Sequence, residues 1–190
     1  MALGFWINNK NCYGCKTCSI ACKSEKQLNS GVLLRHVTDI TQNSPLAVSF
    51  ISMACNHCDE PACLNNCPVK AYTKLENGIV QQDHDLCIGC KTCVEACPYG
   101  APSYDEQESK TYKCDMCVDR QEQGKLPACV ASCPGMNLGV GEMDDLKAAH
   151  EADIVSDNAT ETMPNFVITV DPLLAEEPDD IAVEGVAARM

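Results

Sequence analysis

The sequence has few aromatic residues, an excess of acidic over basic side chains and no long apolar run. Aromatic residues make up 5% of the 190 residues, which is little for a chain that must build its core from side chains alone. Lys and Arg number 14 against 27 Asp and Glu, giving a formal net charge of -13. Because phosphate binding requires a positive field, this charge disfavours nucleic acid and anionic lipid as partners. No stretch approaches the roughly 20 apolar residues of a membrane span, so we expect no direct membrane insertion.

The sequence also shows no secretory signal. The segment Met1–Ile7 is too short for the apolar part of a signal peptide, and no basic segment precedes it. We therefore expect reduced thiols rather than a disulfide framework. What the chain does have is cysteine, at 16 positions, and metal bound by these thiols would supply folding energy that the sparse core lacks.

The cysteines fall into four groups of four, which differ in the length of the middle gap. Three of the groups end in Cys-Pro, whereas the first ends in Cys22-Lys23. In chain order, the groups are Cys12, Cys15, Cys18, Cys22; Cys55, Cys58, Cys63, Cys67; Cys87, Cys90, Cys93, Cys97; and Cys114, Cys117, Cys129, Cys133.

The first and third groups form an internal repeat, identical at eight of eleven positions. Both have the spacing C-x2-C-x2-C-x3-C, which is typical of bacterial ferredoxins with [4Fe-4S] clusters. Three thiolates so close together in the sequence must bind the same metal centre. We therefore predict that Gly14 and Gly89 adopt positive φ, so that the loops curl with their amides turned inward. In two-cluster ferredoxins the fourth cysteine of such a run binds the neighbouring cluster.

Three lysines stand beside these cysteines in the chain: Lys16, Lys23 and Lys91. Positive charge so close to a cluster would raise its potential. The alternative is that all three are ordinary solvated lysines.

Zinc is the main alternative metal, because paired C-x2-C elements also build zinc sites. A zinc ion takes two such pairs, whereas the first and third groups each add a third cysteine after two residues. A zinc-stabilised interaction module is thus the rival function of another class. His57 stands between two cysteines, but every group already has four thiolates, so we expect it to be a hydrogen-bond donor to a ligand or a packed side chain.

Short strands and helices are predicted around the cysteine groups. The predicted strands are Leu3–Ile7, Val32–Thr41, Leu46–Met53, Tyr72–Lys74, Ile79–Gln81 and Asn165–Val170, and the predicted helices are Asp119–Gly124 and Glu142–Ala152. The stretch from Asp171 onward is acidic, rich in alanine and broken by proline, which indicates a disordered tail or a segment laid over a partner.

Two pairings of the groups are compatible with the spacing. The groups can pair in chain order, or the second and third can form an inner ferredoxin that the first and fourth enclose. The gap of 19 residues from Cys67 to Cys87 contains a predicted hairpin and is the more ferredoxin-like connection, which favours the nested arrangement.

Several blocks of the sequence resemble the electron-transfer subunit of dimethyl-sulfoxide-reductase-type molybdenum enzymes. The resemblance spans roughly Gly4 to Pro134. It is carried by Cys12–Cys18, Cys55–Cys63, Cys87–Cys90, Cys97–Pro102 and Lys113–Cys117.

In that family the groups nest, which implies four [4Fe-4S] clusters with crossed ligand sets. The implied sets are Cys12, Cys15, Cys18, Cys133; Cys22, Cys114, Cys117, Cys129; Cys55, Cys58, Cys63, Cys97; and Cys67, Cys87, Cys90, Cys93.

The expected fold is α+β, with two nested bacterial-type 2[4Fe-4S] ferredoxin modules and a core filled by clusters. Residues 1–30 and 98–140 would form the outer module, 31–53 an inserted hairpin and 54–97 the inner module. Residues 141–190 would add a C-terminal helix, a strand and the acidic tail.

The sequence shows no nucleotide-binding loop and no nucleophile beside an obvious base, so we expect no catalytic centre. The resemblance implies a subunit that relays single electrons between a quinol-oxidising membrane subunit or soluble donor and a molybdopterin catalytic subunit that reduces a small substrate. The alternative is the electron-output subunit of a formate dehydrogenase or hydrogenase. The expected partners are the molybdopterin-containing subunit, with or without a membrane anchor subunit. The expected location is peripheral in a membrane-associated complex, exported with the catalytic partner, or alternatively cytoplasmic.

Overall fold

The computed structural model describes residues 2–43, 46–150, 154–155 and 161–170. These residues form ten strands and six helices, all short. The strands are β1 Leu3–Asn8, β2 His36–Asn43, β3 Leu46–Met53, β4 Tyr72–Lys74, β5 Val80–Gln82, β6 Ser103–Asp105, β7 Lys110–Tyr112, β8 Leu138–Glu142, β9 Ile154–Val155 and β10 Phe166–Thr169. The helices are α1 Thr17–Glu25, α2 Ala62–Asn65, α3 Thr92–Ala96, α4 Val118–Glu122, α5 Ala128–Ala131 and α6 Met143–Ala149.

A four-stranded sheet joins the beginning of the chain to its later part. The strand order is β8-β1-β10-β9, with β1 parallel to β10 and antiparallel to β8. Phe5 of β1 stands opposite Phe166 on one side and Val140 on the other. The predicted strands at Leu3 and Asn165 are therefore confirmed. The first ends one residue later than predicted, and the second is one residue shorter at each end.

The inserted hairpin is present as β2 and β3, which pair antiparallel. Its first strand begins at His36, so the predicted start at Val32 is wrong. The physical reason is that Val32 and Leu34 are buried in the core, and the carbonyl of Val32 accepts a hydrogen bond from Lys23 Nζ at 3.0 Å instead of joining a ladder.

Two further hairpins flank the third cysteine group. The predicted pair at Tyr72 is found as β4 and β5, although β5 begins at Val80, one residue later than predicted. Ile79 precedes it, and its carbonyl accepts a hydrogen bond from the amide of Leu75 at 2.8 Å. The hairpin of β6 and β7 was not predicted. Its turn is fixed by Asp105, whose Oδ1 accepts hydrogen bonds from the amides of Gln107 and Glu108 at 2.8 and 3.2 Å.

The short helices pack in two pairs, α1 against α5 and α2 against α3. Helix α4 confirms the helix predicted at Asp119, and the chain leaves it at Gly124 with a φ of 70°. Helix α6 ends at Ala149, whereas the end predicted at Ala152 lies outside the described residues, as does the stretch from Asp171.

The core contains thiols where most proteins have aliphatic side chains. Cys18, Cys22, Cys55, Cys114 and Cys129 belong to the main buried cluster, together with residues of the four-stranded sheet such as Phe5. The mixture of small sheets and short helices confirms the α+β class. More than half of the cysteines are thus buried inside the fold.

Candidate metal centres

The loops of the first and third cysteine groups have the same backbone conformation. Gly14 and Gly89 have φ of 71° and 69°, and Lys16 and Lys91, two positions later, have φ of 61° and 62°. The predicted curl is thus confirmed at both glycines. In each loop the chain then enters a helix, α1 or α3, that carries the next cysteines.

In the second and fourth cysteine groups, backbone amides donate to cysteine sulfur at regular offsets. An amide two residues later donates to Cys55 from His57 at 3.4 Å and to Cys114 from Met116 at 3.3 Å. An amide four residues later donates to Cys133 from Asn137 at 3.2 Å. Such donors stabilise negative charge on sulfur, because each places a partial positive charge beside it.

Three cavities are each lined by four cysteines from distant parts of the chain. In each case three of the cysteines come from one group and the fourth comes from another. The cysteines are Cys12, Cys15, Cys18 and Cys133 around the first cavity; Cys22, Cys114, Cys117 and Cys129 around the second; and Cys55, Cys58, Cys63 and Cys97 around the third.

The remaining four cysteines are Cys67 of the second group and Cys87, Cys90 and Cys93 of the third. Thr111 Oγ1 is 3.4 Å from Cys87 Sγ and 3.5 Å from Cys93 Sγ. Cys67 packs on the smaller hydrophobic cluster that contains Cys93. Cys90 is exposed and its sulfur contacts Thr92 Oγ1 at 3.4 Å.

Burial makes several of these thiols poor acids in the protein alone. Burial, followed by the charge of neighbouring cysteines, raises the pKa of Cys22, Cys58 and Cys63 to about 12. The pKa of Cys114 is raised well above its usual value for the same reasons. By contrast, a side-chain hydrogen bond from Thr17 lowers the pKa of exposed Cys15. Thiolates in the buried positions therefore require a cationic centre, which iron supplies.

The arrangement of the thiols bears on the choice between a single zinc ion and a multi-atom cluster. In the part of the chain that the structure describes, no three His, Cys, Asp or Glu side chains converge on the position of one metal ion. Zinc ligands bind at about 2.0 to 2.3 Å, so four of them must approach a single point. Here the sulfur atoms surround a volume instead.

Lys113 is a buried cation that the sequence did not single out. Its side chain lies between the second and third cavities, where Nζ donates to Cys55 Sγ at 3.6 Å and to the carbonyl of Cys114 at 2.7 Å. Burial alone would lower the pKa of this ammonium, but thiolates at Cys55, Cys114 and Cys63 raise it. Its position directly before Cys114 is the one feature of the sequence from which its place beside the cysteines could have been predicted.

His57 is fully buried beside the third cavity. Nδ1 accepts a hydrogen bond from the amide of Val80 at 3.0 Å, so the neutral ring carries its proton on Nε2, which has no partner among the residues described. Burial, followed by the charge of Lys113, lowers the pKa of this imidazole well below its usual value. Of the two roles expected from the sequence, the free N–H favours that of a donor toward the cavity.

No helix in the described part of the chain combines the length and apolar composition that a membrane crossing requires.

Comparison with known proteins agrees with the metal chemistry of the site. A family model described as a 4Fe-4S dicluster domain matches residues 46–143. The chain is 41% identical over 179 residues to one chain of the anaerobic dimethyl sulfoxide reductase of Escherichia coli K12, covering 87% of each. It is 38% identical over 143 residues to one subunit of the tetrathionate reductase of Salmonella typhimurium LT2, covering 73% of this chain and 57% of the relative. It is also 31% identical over 161 residues to a formate dehydrogenase iron-sulfur subunit of Haemophilus influenzae, covering 74% of this chain and 52% of the relative.

Proposed function

The chain belongs to the family of iron-sulfur electron-transfer subunits with a 4Fe-4S dicluster domain, and we propose that it holds four [4Fe-4S] clusters and serves a molybdopterin catalytic subunit. When bound, such clusters accept and release single electrons. The chain itself would bind the clusters, shield them from solvent and supply the charges and hydrogen bonds around them. Substrate chemistry would take place on the partner.

The proposed ligand sets are those in which each cysteine group gives its last cysteine to a neighbouring set. Three of these sets correspond to the three cavities lined by four thiols. The fourth set rests on the contacts that Thr111 makes with two of its members. The sets are Cys12, Cys15, Cys18, Cys133; Cys22, Cys114, Cys117, Cys129; Cys55, Cys58, Cys63, Cys97; and Cys67, Cys87, Cys90, Cys93.

We propose that these sets form two nested ferredoxin modules. The packing of the helices supports this, since α1 and α5 carry cysteines of the first and fourth groups, whereas α2 and α3 carry cysteines of the second and third groups. The outer module would comprise residues 1–30 and 98–140, with the hairpin 31–53 inserted before the inner module 54–97. Residues 141–190 would add the C-terminal part.

The observation that supports this function is that side chains link each proposed set to the next one, which would place the four clusters one after another in a row. Arg35 lines the cavity of the Cys22 set and reaches Cys18 through Ser52. Lys113 lies between the Cys22 and Cys55 sets. Tyr72 belongs to the hydrophobic cluster that contains Cys63 and Cys93, members of the last two sets.

Both ends of this row reach the surface. Of the sixteen cysteines, all of which the structure describes, Cys15 and Cys90 are the exposed ones, and they belong to the two end sets. Next to them, Tyr13 and Ile88 occupy the same position of the repeat and are 57% and 63% exposed. Exposed apolar side chains at both ends suit a relay that meets one partner at each end.

The partners follow from the relatives. We propose that one end contacts a molybdopterin-containing catalytic subunit and the other a membrane anchor subunit or a soluble donor. The complex would then be peripheral to a membrane, exported with the catalytic subunit or, in the alternative, cytoplasmic. The relative from formate dehydrogenase favours a second candidate, in which electrons leave an oxidised substrate through the same row.

Purification of the complex from its native host tests the assignment. The co-purifying large chain is expected to contain molybdenum, and dithionite-reduced clusters are expected to reoxidise when a small oxide such as dimethyl sulfoxide is added. Reduction of the oxidised clusters by formate would instead support the second candidate. A large partner without molybdenum would contradict both.

A further inference from the structure

Arg35 is a buried guanidinium that has no acidic partner in the part of the chain that the structure describes. Its side chain is 1% exposed and lies over the ring of Phe5, with Cζ 4.7 Å from the ring centroid. The ion pairs among the described residues join Lys26 to Asp115, Lys74 to Asp59 and Arg120 to Glu25, and none of them includes Arg35. A buried charge without a counterion is costly, so its environment must supply one.

Among the described residues, only one of the three guanidinium nitrogens of Arg35 has a hydrogen-bond partner. Nη1 donates to the carbonyl of Ser52 at 2.9 Å and to its hydroxyl at 3.2 Å. Nε and Nη2 are buried and have no acceptor. Arg35 lines the cavity of Cys22, Cys114, Cys117 and Cys129. A negatively charged group in this cavity would supply both the hydrogen-bond acceptor and the counterion that the guanidinium lacks.

The same side chain is connected to the adjacent cavity. The Ser52 hydroxyl that accepts from Arg35 also contacts Cys18 Sγ at 3.2 Å. A guanidinium keeps its proton in proteins even when it is buried, because its intrinsic pKa lies above about 12. Arg35 thus provides a fixed positive charge at the junction of two cluster sites.

We propose that Arg35 sets the redox potential of the cluster held by Cys22, Cys114, Cys117 and Cys129, by directing Nε and Nη2 toward its sulfur atoms. The inference rests on the proposed function and on this ligand set. Reduction adds one electron to the cluster and moves no proton at Arg35. Because the reduced form is the more negative one, a buried cation with free N–H donors stabilises it and raises the midpoint potential.

Redox titration of the purified complex, followed by electron paramagnetic resonance, tests the proposal with Arg35→Gln and Arg35→Lys. In Arg35→Gln the midpoint potential of one cluster is expected to fall. A separate variant, Cys117→Ser, identifies this cluster, because it should alter the spectral signal of the same cluster. In Arg35→Lys the fall is expected to be smaller, because the charge is kept while the planar donor pair is lost. Unchanged midpoints in a variant with full iron content would overturn the proposal.

Arg120→Gln is the matched control. It removes the same charge three residues after the ligand Cys117, but Arg120 is partly exposed, and its Nε and Nη1 already donate to Leu126 and Glu25. Solvent screening should therefore leave the midpoints close to those of the wild type. An equal fall in Arg120→Gln and Arg35→Gln would contradict a specific role for Arg35.

A measurement on the wild-type chain decides the matter if both Arg35 variants lose iron. Arginine labelled with ¹⁵N in the guanidinium group is expected to show a nitrogen coupling in pulsed spectra of the reduced cluster, and the absence of that coupling would overturn the proposal. Failure of the proposed function would give a different result from failure of this proposal, since the wild-type protein itself would then lack four reducible clusters.

Discussion

Lys113 and Cys55 are 58 positions apart in the chain, yet Nζ of the lysine donates to Sγ of the cysteine at 3.6 Å. The same ammonium donates to the carbonyls of Val80 and Cys114. One buried cation thus holds together a strand of the inner region and the loops of two proposed ligand sets. Its loss should affect both redox behaviour and stability.

Lys113→Met is expected to lower the midpoint potential of the cluster of the Cys55 set by about 60 mV, which corresponds to roughly 1.4 kcal/mol of lost charge stabilisation. It should also destabilise the protein by about 1 to 3 kcal/mol, because buried carbonyls lose their donor. Redox titration and thermal unfolding measure the two effects. Lys125→Met, at an exposed lysine, is the control and should show neither.

Cys133→Ser distinguishes the nested pairing from the pairing in chain order. In the nested arrangement, it should alter the same spectral component as Cys15→Ser, because both belong to the first set. If the groups pair in order, the component altered by Cys133→Ser would instead be the one altered by Cys90→Ser. Electron paramagnetic resonance of the three variants, each with its iron content measured, gives the comparison.

Gly89→Ala should destabilise the protein far more than Gly124→Ala. Both glycines have positive φ, which costs an alanine about 1 to 2 kcal/mol. A Cβ at Gly89 would also lie 2.0 Å from the carbonyl oxygen of Ser109, whereas nothing lies within 4 Å of a Cβ at Gly124. The temperature at which the visible cluster absorbance is lost measures the difference. Equal losses in the two variants would contradict this close packing of the loop on the β6–β7 turn.

Asn165→Ala should release the loop of the Cys55 set. The side-chain amide of Asn165 donates to the carbonyl of His57 at 2.8 Å and to Asp59 Oδ1 at 3.1 Å, which ties the loop to the beginning of β10. We expect iron to leave several-fold faster in the presence of a chelator, since a local opening that loses about 1 kcal/mol of hydrogen bonding becomes about fivefold more populated. Asn66→Ala, which removes an exposed hydrogen bond to the carbonyl of Ala62, should leave the rate unchanged.

The backbone of the cysteine loops was predictable because it depends on local spacing. Three thiols within seven residues require a curled loop, and the glycines at 14 and 89 have the positive φ expected of them. The strand at Leu3 was predictable for a similar reason, since it is a continuous apolar run. The hairpin of β6 and β7 was not, because its turn depends on Asp105 accepting from two following amides rather than on a Gly-rich signature.

The surroundings of the thiols could not be predicted in the same way, because they depend on long-range packing. The sequence drew attention to Lys16, Lys23 and Lys91, which stand beside cysteines in the chain. In the structure Lys23 Nζ donates to the carbonyls of Asn29 and Val32, and Lys91 lies over the ring of Tyr104. In the described part of the chain the buried Lys and Arg side chains are Arg35 and Lys113, and Arg35 is distant in sequence from every cysteine group.

Iron and acid-labile sulfide, counted per chain in protein purified without oxygen, test the central claim most directly. Four [4Fe-4S] clusters predict about sixteen atoms of each, one sulfide for every iron. About four zinc ions per chain with no labile sulfide would contradict the account.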